Sequence, residues 1–80
     1  MLPYPSDGDD WLLHERRRIG RHIRNARIDH SLTQEQVFLA ASVNRSFYQQ
    51  IEGGDANPSL ETLLRIARAI GVTISELLRG

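Results

Sequence analysis

The chain has 80 residues, enough for one domain and one small hydrophobic core, which excludes multi-domain readings. With 40% hydrophobic and 25% charged residues, and no apolar run near the roughly 18 residues that span a bilayer, the composition excludes a membrane protein. The absence of cysteine excludes a disulfide scaffold, and the formal net charge of zero divides into −4 over residues 1–15 and +4 over residues 16–80.

All ten basic side chains are arginine, suited to forked phosphate or guanine contacts, although a GC-rich coding genome produces the same bias. Residues 1–9, with Pro3, Pro5 and Gly8, lack periodicity and read as a flexible N-terminal arm. Their acidic, Pro-rich character is not that of a secretory signal, so the mature protein is expected to be the whole chain and its address cytoplasmic.

Residues 10–80 read as one domain. From an N-cap at Asp9 or Asp10, the apolar positions Leu12, Ile19, Ile23 and Ala26 recur at steps of seven, four and three. This predicts a long amphipathic helix ending near Asp29, with Arg21 and Arg24 off the stripe. Trp11 and Leu13 lie beside it, placed to extend it, to pack the arm on the body or to meet a second subunit.

Thr33-Gln-Glu-Gln36 is a capping box leading into Val37, Leu39, Ala40 and Ala41, a helix of two turns. Asn44 is an N-cap ahead of Arg45-Ser-Phe-Tyr-Gln-Gln-Ile-Glu52, which Gly53-Gly54 closes. Asn57-Pro58-Ser59 then breaks the chain and caps a fourth helix. Its expected apolar face is Leu60, Leu63, Leu64, Ala67 and Ile70, with Arg65 and Arg68 outside it and Gly71 at its end. Thr73-Ile-Ser-Glu76, a second capping box, starts a fifth helix through Leu77 and Leu78. No stretch alternates as a strand does, so the fold class is all-α with five helices.

The spacing holds little enzymatic chemistry. His14, His22 and His30 lie eight apart, a drift of about 80° per step on a helix, so they do not converge as metal ligands. There is no phosphate loop, Gly-x-Ser-x-Gly or close acid pair, and the core is too small to enclose a substrate. No catalytic residue, metal, cofactor or small-molecule ligand is expected.

Residues 34–41 and 45–52, two short helices about three residues apart, have the proportions of a helix-turn-helix. The wider run is Ser31-Leu-Thr-Gln-Glu-Gln-Val37, Ser42-Val-Asn-Arg-Ser46, Ile51-Glu-Gly-Gly54, Asn57-Pro-Ser-Leu-Glu-Thr-Leu63 and Ile66-Ala-Arg-Ala-Ile-Gly-Val72. In this order and spacing it resembles the lambda repressor/Cro-like (XRE) family over roughly residues 16–78. The resemblance implies a compact five-helix lambda-repressor-like domain, with the motif at residues 34–53 and double-stranded DNA as partner.

Carried over by position, the resemblance puts Asn44, Arg45, Ser46, Gln49 and Gln50 on the base-reading face, with Tyr48 and Ile51 toward the core. Side-chain chemistry agrees: Arg forks onto guanine and Gln onto adenine, each pair contributing about 1–3 kcal/mol of discrimination. Arg45 is the first candidate and Gln50 the second. Implied phosphate contacts are Thr33, Gln34, Gly53, Gly54 and Asn57, with Arg27 in addition. Thr33 serves equally as a cap and the glycines as C-caps, while Asp55 opposes a phosphate nearby. Arg27 and Glu52 take the positions of a buried structural ion pair.

The chain departs from the family pattern at Phe38, where a small residue is usual, at Ser42, where Gly suits a positive φ, and at Tyr48, where an aliphatic residue faces the core. Two rings near the helix crossing are expected to widen or rotate it, or Phe38 turns outward toward another subunit. The function implied is a transcriptional regulator, a small homodimeric repressor on an inverted-repeat operator, paired through residues 73–80 or the Trp11 region. An antitoxin or a restriction controller would carry the same residues. The alternative class is a protein-interaction module built on a degenerate helix-turn-helix.

Overall fold

The computed structural model describes residues 10–80, so the expected arm at residues 1–9 lies outside the described residues. Five helices follow one another: α1 (Asp10–Asp29), α2 (Gln34–Ala40), α3 (Arg45–Gly53), α4 (Leu60–Ile70) and α5 (Ile74–Leu78). Among the described residues there is no strand, and no helix is long and apolar enough to cross a membrane.

The helix starts are local chemistry. Thr33 accepts from Gln36 N at 3.0 Å while the Gln36 side chain accepts from Thr33 N at 2.8 Å, a complete capping box for α2. Asn44 caps α3 by accepting from Phe47 N at 3.1 Å, Ser59 caps α4 through Thr62 N at 3.1 Å, and Thr73 caps α5 through Glu76 N at 3.2 Å. At the other ends, Gly54 (φ 81°) and Gly71 (φ 95°) take the left-handed conformation that closes α3 and α4.

Helix α1 is the spine, packed on α3, α4 and α5, while α2 packs on α3 and α4. Ile23 of α1, Val37 of α2, Tyr48 and Ile51 of α3, Ile66 and Ile70 of α4 and Leu77 of α5 meet in one core. Two side chains of α1 also tie down the end of α5: His22 Nδ1 donates to Leu77 O at 2.9 Å, and Arg18 donates to Leu78 O at 3.1 Å and to Arg79 O. A cation at a helix C-terminus meets carbonyls that have no partner within the helix.

Two expectations need correction. Leu60 and Leu64 were expected on the apolar face of α4, but they are 63% and 46% exposed, and the buried stripe is Leu63, Ile66, Ala67 and Ile70. At 100° per residue they lie roughly 70° and 110° from the centre of that stripe, past the edge that the neighbouring helices cover. Phe38 does not turn outward. The residue is 7% exposed, and its ring sits 6.2 Å from the Tyr48 ring, tilted by 51°, within the range of an aromatic pair, with both rings in the core. Ser42 holds φ 56°, the strained conformation its position required, and Ser31 holds the same φ in the turn between α1 and α2.

Candidate nucleic-acid interface

Helix α3 has two faces of different chemistry. Tyr48, Ile51 and Glu52 are buried, whereas Arg45, Ser46, Gln49 and Gln50 are exposed together with the cap residue Asn44. The capping bond uses the Asn44 carbonyl oxygen, which leaves its amide N–H groups as what the side chain can offer outward.

The buried face is organised around one carboxylate. Glu52 Oε2 accepts from Arg27 Nε at 2.7 Å and from the Tyr48 hydroxyl at 2.5 Å. Its Oε1 accepts from Arg27 Nη2 at 3.1 Å and from Gln34 Nε2 at 3.1 Å. Arg27 Nη1 donates to Leu32 O at 3.0 Å, so one guanidinium joins α1, the turn before α2, and α3. Burial pushes the Glu52 carboxyl up, but the hydrogen bonds from Arg27, Tyr48 and Gln34 outweigh it and hold the group below the ordinary carboxylate range. The bond to Glu52 raises Arg27 further, and burial, with Glu52 beside it, raises Tyr48 so that it remains a donor. No buried side-chain polar atom among the described residues lacks a hydrogen-bond partner.

At the exposed face, Gln34 has its amide nitrogen committed to Glu52, so its oxygen points outward and accepts from Gln49 Nε2 at 3.5 Å. Arg45 Nη2 donates to Glu35 at 3.2 Å, and its guanidinium lies 5.5 Å from the centroid of the Phe38 ring. A shallow open cleft thus brings together Arg27, Thr33, Gln34, Phe38, Arg45 and Gln49.

The remaining candidates lie apart, at the far end of α3. Gly54 is buried, donates its N–H to Ile51 O at 3.1 Å and accepts from Arg16 at 3.5 Å, so its role as a cap is complete. Gly53, the last residue of α3, and Asn57, in the loop after it, are exposed. Glu35, as partner of Arg45, was not singled out in the sequence, nor was Gly20. A Cβ on Gly20 would lie 2.5 Å from Glu52 O and 2.6 Å from Ile51 O, so the absence of a side chain lets α1 touch the last turn of α3. Among the described residues, no group of three His, Cys, Asp or Glu is placed to hold a metal.

Two short helices, α2 and α3, are thus joined by a tight turn, with a polar face on the second and a buried network behind it. A family model described as helix-turn-helix matches residues 23–77. The chain belongs to the helix-turn-helix family. It is 37% identical over 59 residues to the immunity repressor protein of Bacillus phage phi105, a match covering 74% of this chain and 41% of that protein. It is 38% identical over 55 residues to the cryptic phage CTXphi transcriptional repressor RstR of Vibrio cholerae, covering 69% of this chain and 50% of that protein. The chain therefore spans half or less of the length of these two relatives. Among solved structures, the restriction-modification controller protein C.AhdI from Aeromonas hydrophila superposes with a TM-score of 0.77 at 28% identity, over 80% of this chain and 97% of that one. In this helix-turn-helix, α2 and α3 are the two motif helices and Ser42 lies in the turn between them.

Proposed function

We propose that the protein is a sequence-specific, double-stranded DNA-binding transcriptional regulator, acting in the cytoplasm as a small homodimeric repressor on an inverted-repeat operator. The observation that carries this reading is that Arg45, Ser46, Gln49 and Gln50 stand exposed on a helix anchored from behind by the Arg27–Glu52 pair. Such a helix enters the major groove with its polar face toward the base edges, where Arg45 would read guanine and Gln50 adenine. Asn44, Ser46 and Gln49 line the same face. Thr33 and Asn57 are the phosphate candidates, with Gly53 at the end of α3, while Gln34, whose amide nitrogen is bonded to Glu52, offers its main-chain N–H at the start of α2. Three of the five N–H groups of Arg27 and the N–H of Gly54 are engaged internally, which favours structural roles for both.

Two arguments, need and surface, support dimerisation. One domain of this size makes few base contacts, whereas two-fold pairing spaces two recognition helices about 34 Å apart, one duplex turn. Leu60 and Leu64 on α4 and Leu78 on α5 are exposed, and α4 packs on α5, so this helix pair offers apolar surface to a second copy.

The test is selection of the purified protein on a random duplex library with salt raised over successive rounds. A palindrome with guanine and adenine at fixed half-site positions is the expected result, with a salt slope near about −0.9 per phosphate contact. Loss of affinity in Arg45→Ala and Gln50→Ala would tie the reading to those residues. Absence of any enriched site with a folded protein would overturn it and favour a protein-interaction module.

A further inference from the structure

We propose that Phe38 is a positioning residue for base recognition: its ring carries the guanidinium of Arg45, and Glu35 fixes that group's rotation, so that the fork is aimed before DNA arrives. The inference rests on the DNA-reading function above and adds to it two residues from α2, the helix that does not present the reading face.

The clamp is built from groups of unequal freedom. Arg45 is the first residue of α3 and 65% of its side chain is exposed, so a long side chain at that place has much rotamer freedom to lose on binding. Phe38 has almost none, since the residue is buried in the core, and the guanidinium lies over its ring. The ring is held against Tyr48, whose hydroxyl is bonded to Glu52, which Arg27 holds in turn. A line of fixed groups therefore runs from the ion pair in the interior to the one arginine that leads the exposed face. Over the ring the guanidinium sits 5.5 Å from the centroid, within the range of a cation–π contact.

Glu35 sets the remaining degree of freedom. It stands three residues before Phe38 on α2, on the same side of the helix, and takes one N–H of Arg45 at 3.2 Å. Four of the five guanidinium N–H groups remain for the two acceptors of guanine. The carboxylate is 64% exposed and carries a negative charge toward a polyanion. It therefore subtracts from general attraction to DNA while adding to orientation, and the two effects have opposite signs in measurements of random and selected sequence. A ring that served only as core packing would leave discrimination at the Arg45 position unchanged.

The experiment uses the full chain. Selection on a random duplex library with wild type and Arg45→Ala identifies the half-site position that depends on Arg45. Phe38→Leu and Glu35→Gln are then measured by titration against the selected duplex, against single-base variants of it and against a random-sequence duplex. Discrimination at the Arg45-dependent position is expected to fall about two- to five-fold in each, the scale of one exposed cation–π contact or ion pair, while other positions keep theirs. Glu35→Gln is also expected to bind the random duplex more tightly than wild type.

Thermal unfolding checks that Phe38→Leu is folded. Should it fail, Glu35→Gln, altered only at an exposed side chain, decides the matter together with 15N relaxation of the Arg45 Nε–H in the free wild type, which the proposal requires to be ordered. Unchanged discrimination in the folded variants, a loss spread evenly over all positions, or a mobile Arg45 Nε–H overturns the proposal. A wild type that enriches no site refutes the DNA-reading function and this inference with it, a result distinct from a wild type that selects while its variants select equally well.

Discussion

The Tyr48 hydroxyl donates to Glu52 Oε2 across 2.5 Å, one turn along the same helix and out of reach of water. The carboxylate thereby gains a donor from its own helix in addition to Arg27 from α1 and Gln34 from α2. Tyr48→Phe keeps the ring and its contact with Phe38 but deletes that donor. A hydrogen bond to a charged group contributes about 1.5–3 kcal/mol, so the unfolding free energy should fall by that amount, seen as a lower urea midpoint with the slope unchanged. A midpoint equal to wild type would mean that Arg27 and Gln34 satisfy the carboxylate alone.

Arg27 and Glu52 should behave as a unit. Arg27→Met strands a buried carboxylate and is expected to cost about 3–5 kcal/mol, a large part of the stability of a domain this small. Glu52→Leu strands the guanidinium in the same way. The double variant removes both charges and should be less destabilised than the two single losses added together, with a coupling of about 0.5–3 kcal/mol in a denaturation cycle. Strict additivity would refute the pairing as an energetic unit.

The same carboxylate sets a pH dependence. Burial pushes Glu52 up, yet its hydrogen bonds with Arg27, Tyr48 and Gln34 leave it lower than in the unfolded chain, where a glutamate titrates near about 4.3. A depressed folded value means that the unfolded state takes up the proton first, so stability is complete above the unfolded value and declines as pH falls through the folded one. The thermal midpoint should be level from neutral pH down to about 5 and then drop, and the drop should be shallower in Glu52→Gln. Parallel curves for the two proteins would assign the acid sensitivity to other carboxyls.

Caps were legible in the sequence because they are local. Thr33, Asn44, Ser59 and Thr73 each bond an amide three residues on, and Gly54 and Gly71 stop helices through their own backbone conformation. What periodicity could not say is how far round each helix its neighbours reach, and so Leu60 and Leu64 looked like core. The site divides in the same way. That Arg45, Gln49 and Gln50 share a face follows from helical geometry, but the partners of Arg45 lie on another helix, ten and seven residues earlier. Gln34, expected at a phosphate, spends its amide nitrogen on Glu52, a bond between residues 18 apart that no local pattern announces.

Ser42 offers a stabilising change. Its φ of 56° costs an L side chain energy that Gly does not incur, and the turn around it is closed by main-chain bonds, Ser42 N to Leu39 O at 3.2 Å and Val43 N to Phe38 O at 2.9 Å. Ser42→Gly keeps those bonds and is exposed to solvent. Relief of strain, less the extra freedom of Gly in the unfolded chain, should raise stability by about 0.5–1 kcal/mol. In a domain of this size that is roughly 2–8 °C in the thermal midpoint, measurable by circular dichroism. A lower midpoint would show that the Ser42 side chain contributes something its strain conceals.

Gly20 lies inside α1 and Gly53 is the last residue of α3, and intrinsic propensity favours Ala over Gly by about 1 kcal/mol in a helix interior. Their surroundings separate them. At Gly20 the added methyl would press on two carbonyl oxygens of α3, at 2.5 and 2.6 Å, and backbone on both sides must give way. At Gly53 the methyl would meet only the Asp55 carboxylate, at 3.3 Å, the end of a flexible side chain. Gly20→Ala should therefore lose about 1–3 kcal/mol through overpacking despite its better propensity, while Gly53→Ala stays within about 0.5 kcal/mol of wild type or gains. Because the strain at Gly20 falls on the helix that presents Arg45 and Gln49, the same variant should bind its selected duplex less tightly even at temperatures where it is fully folded. Equal stabilisation of both variants would mean that α1 and α3 separate without cost and that their contact does not hold the exposed face in place.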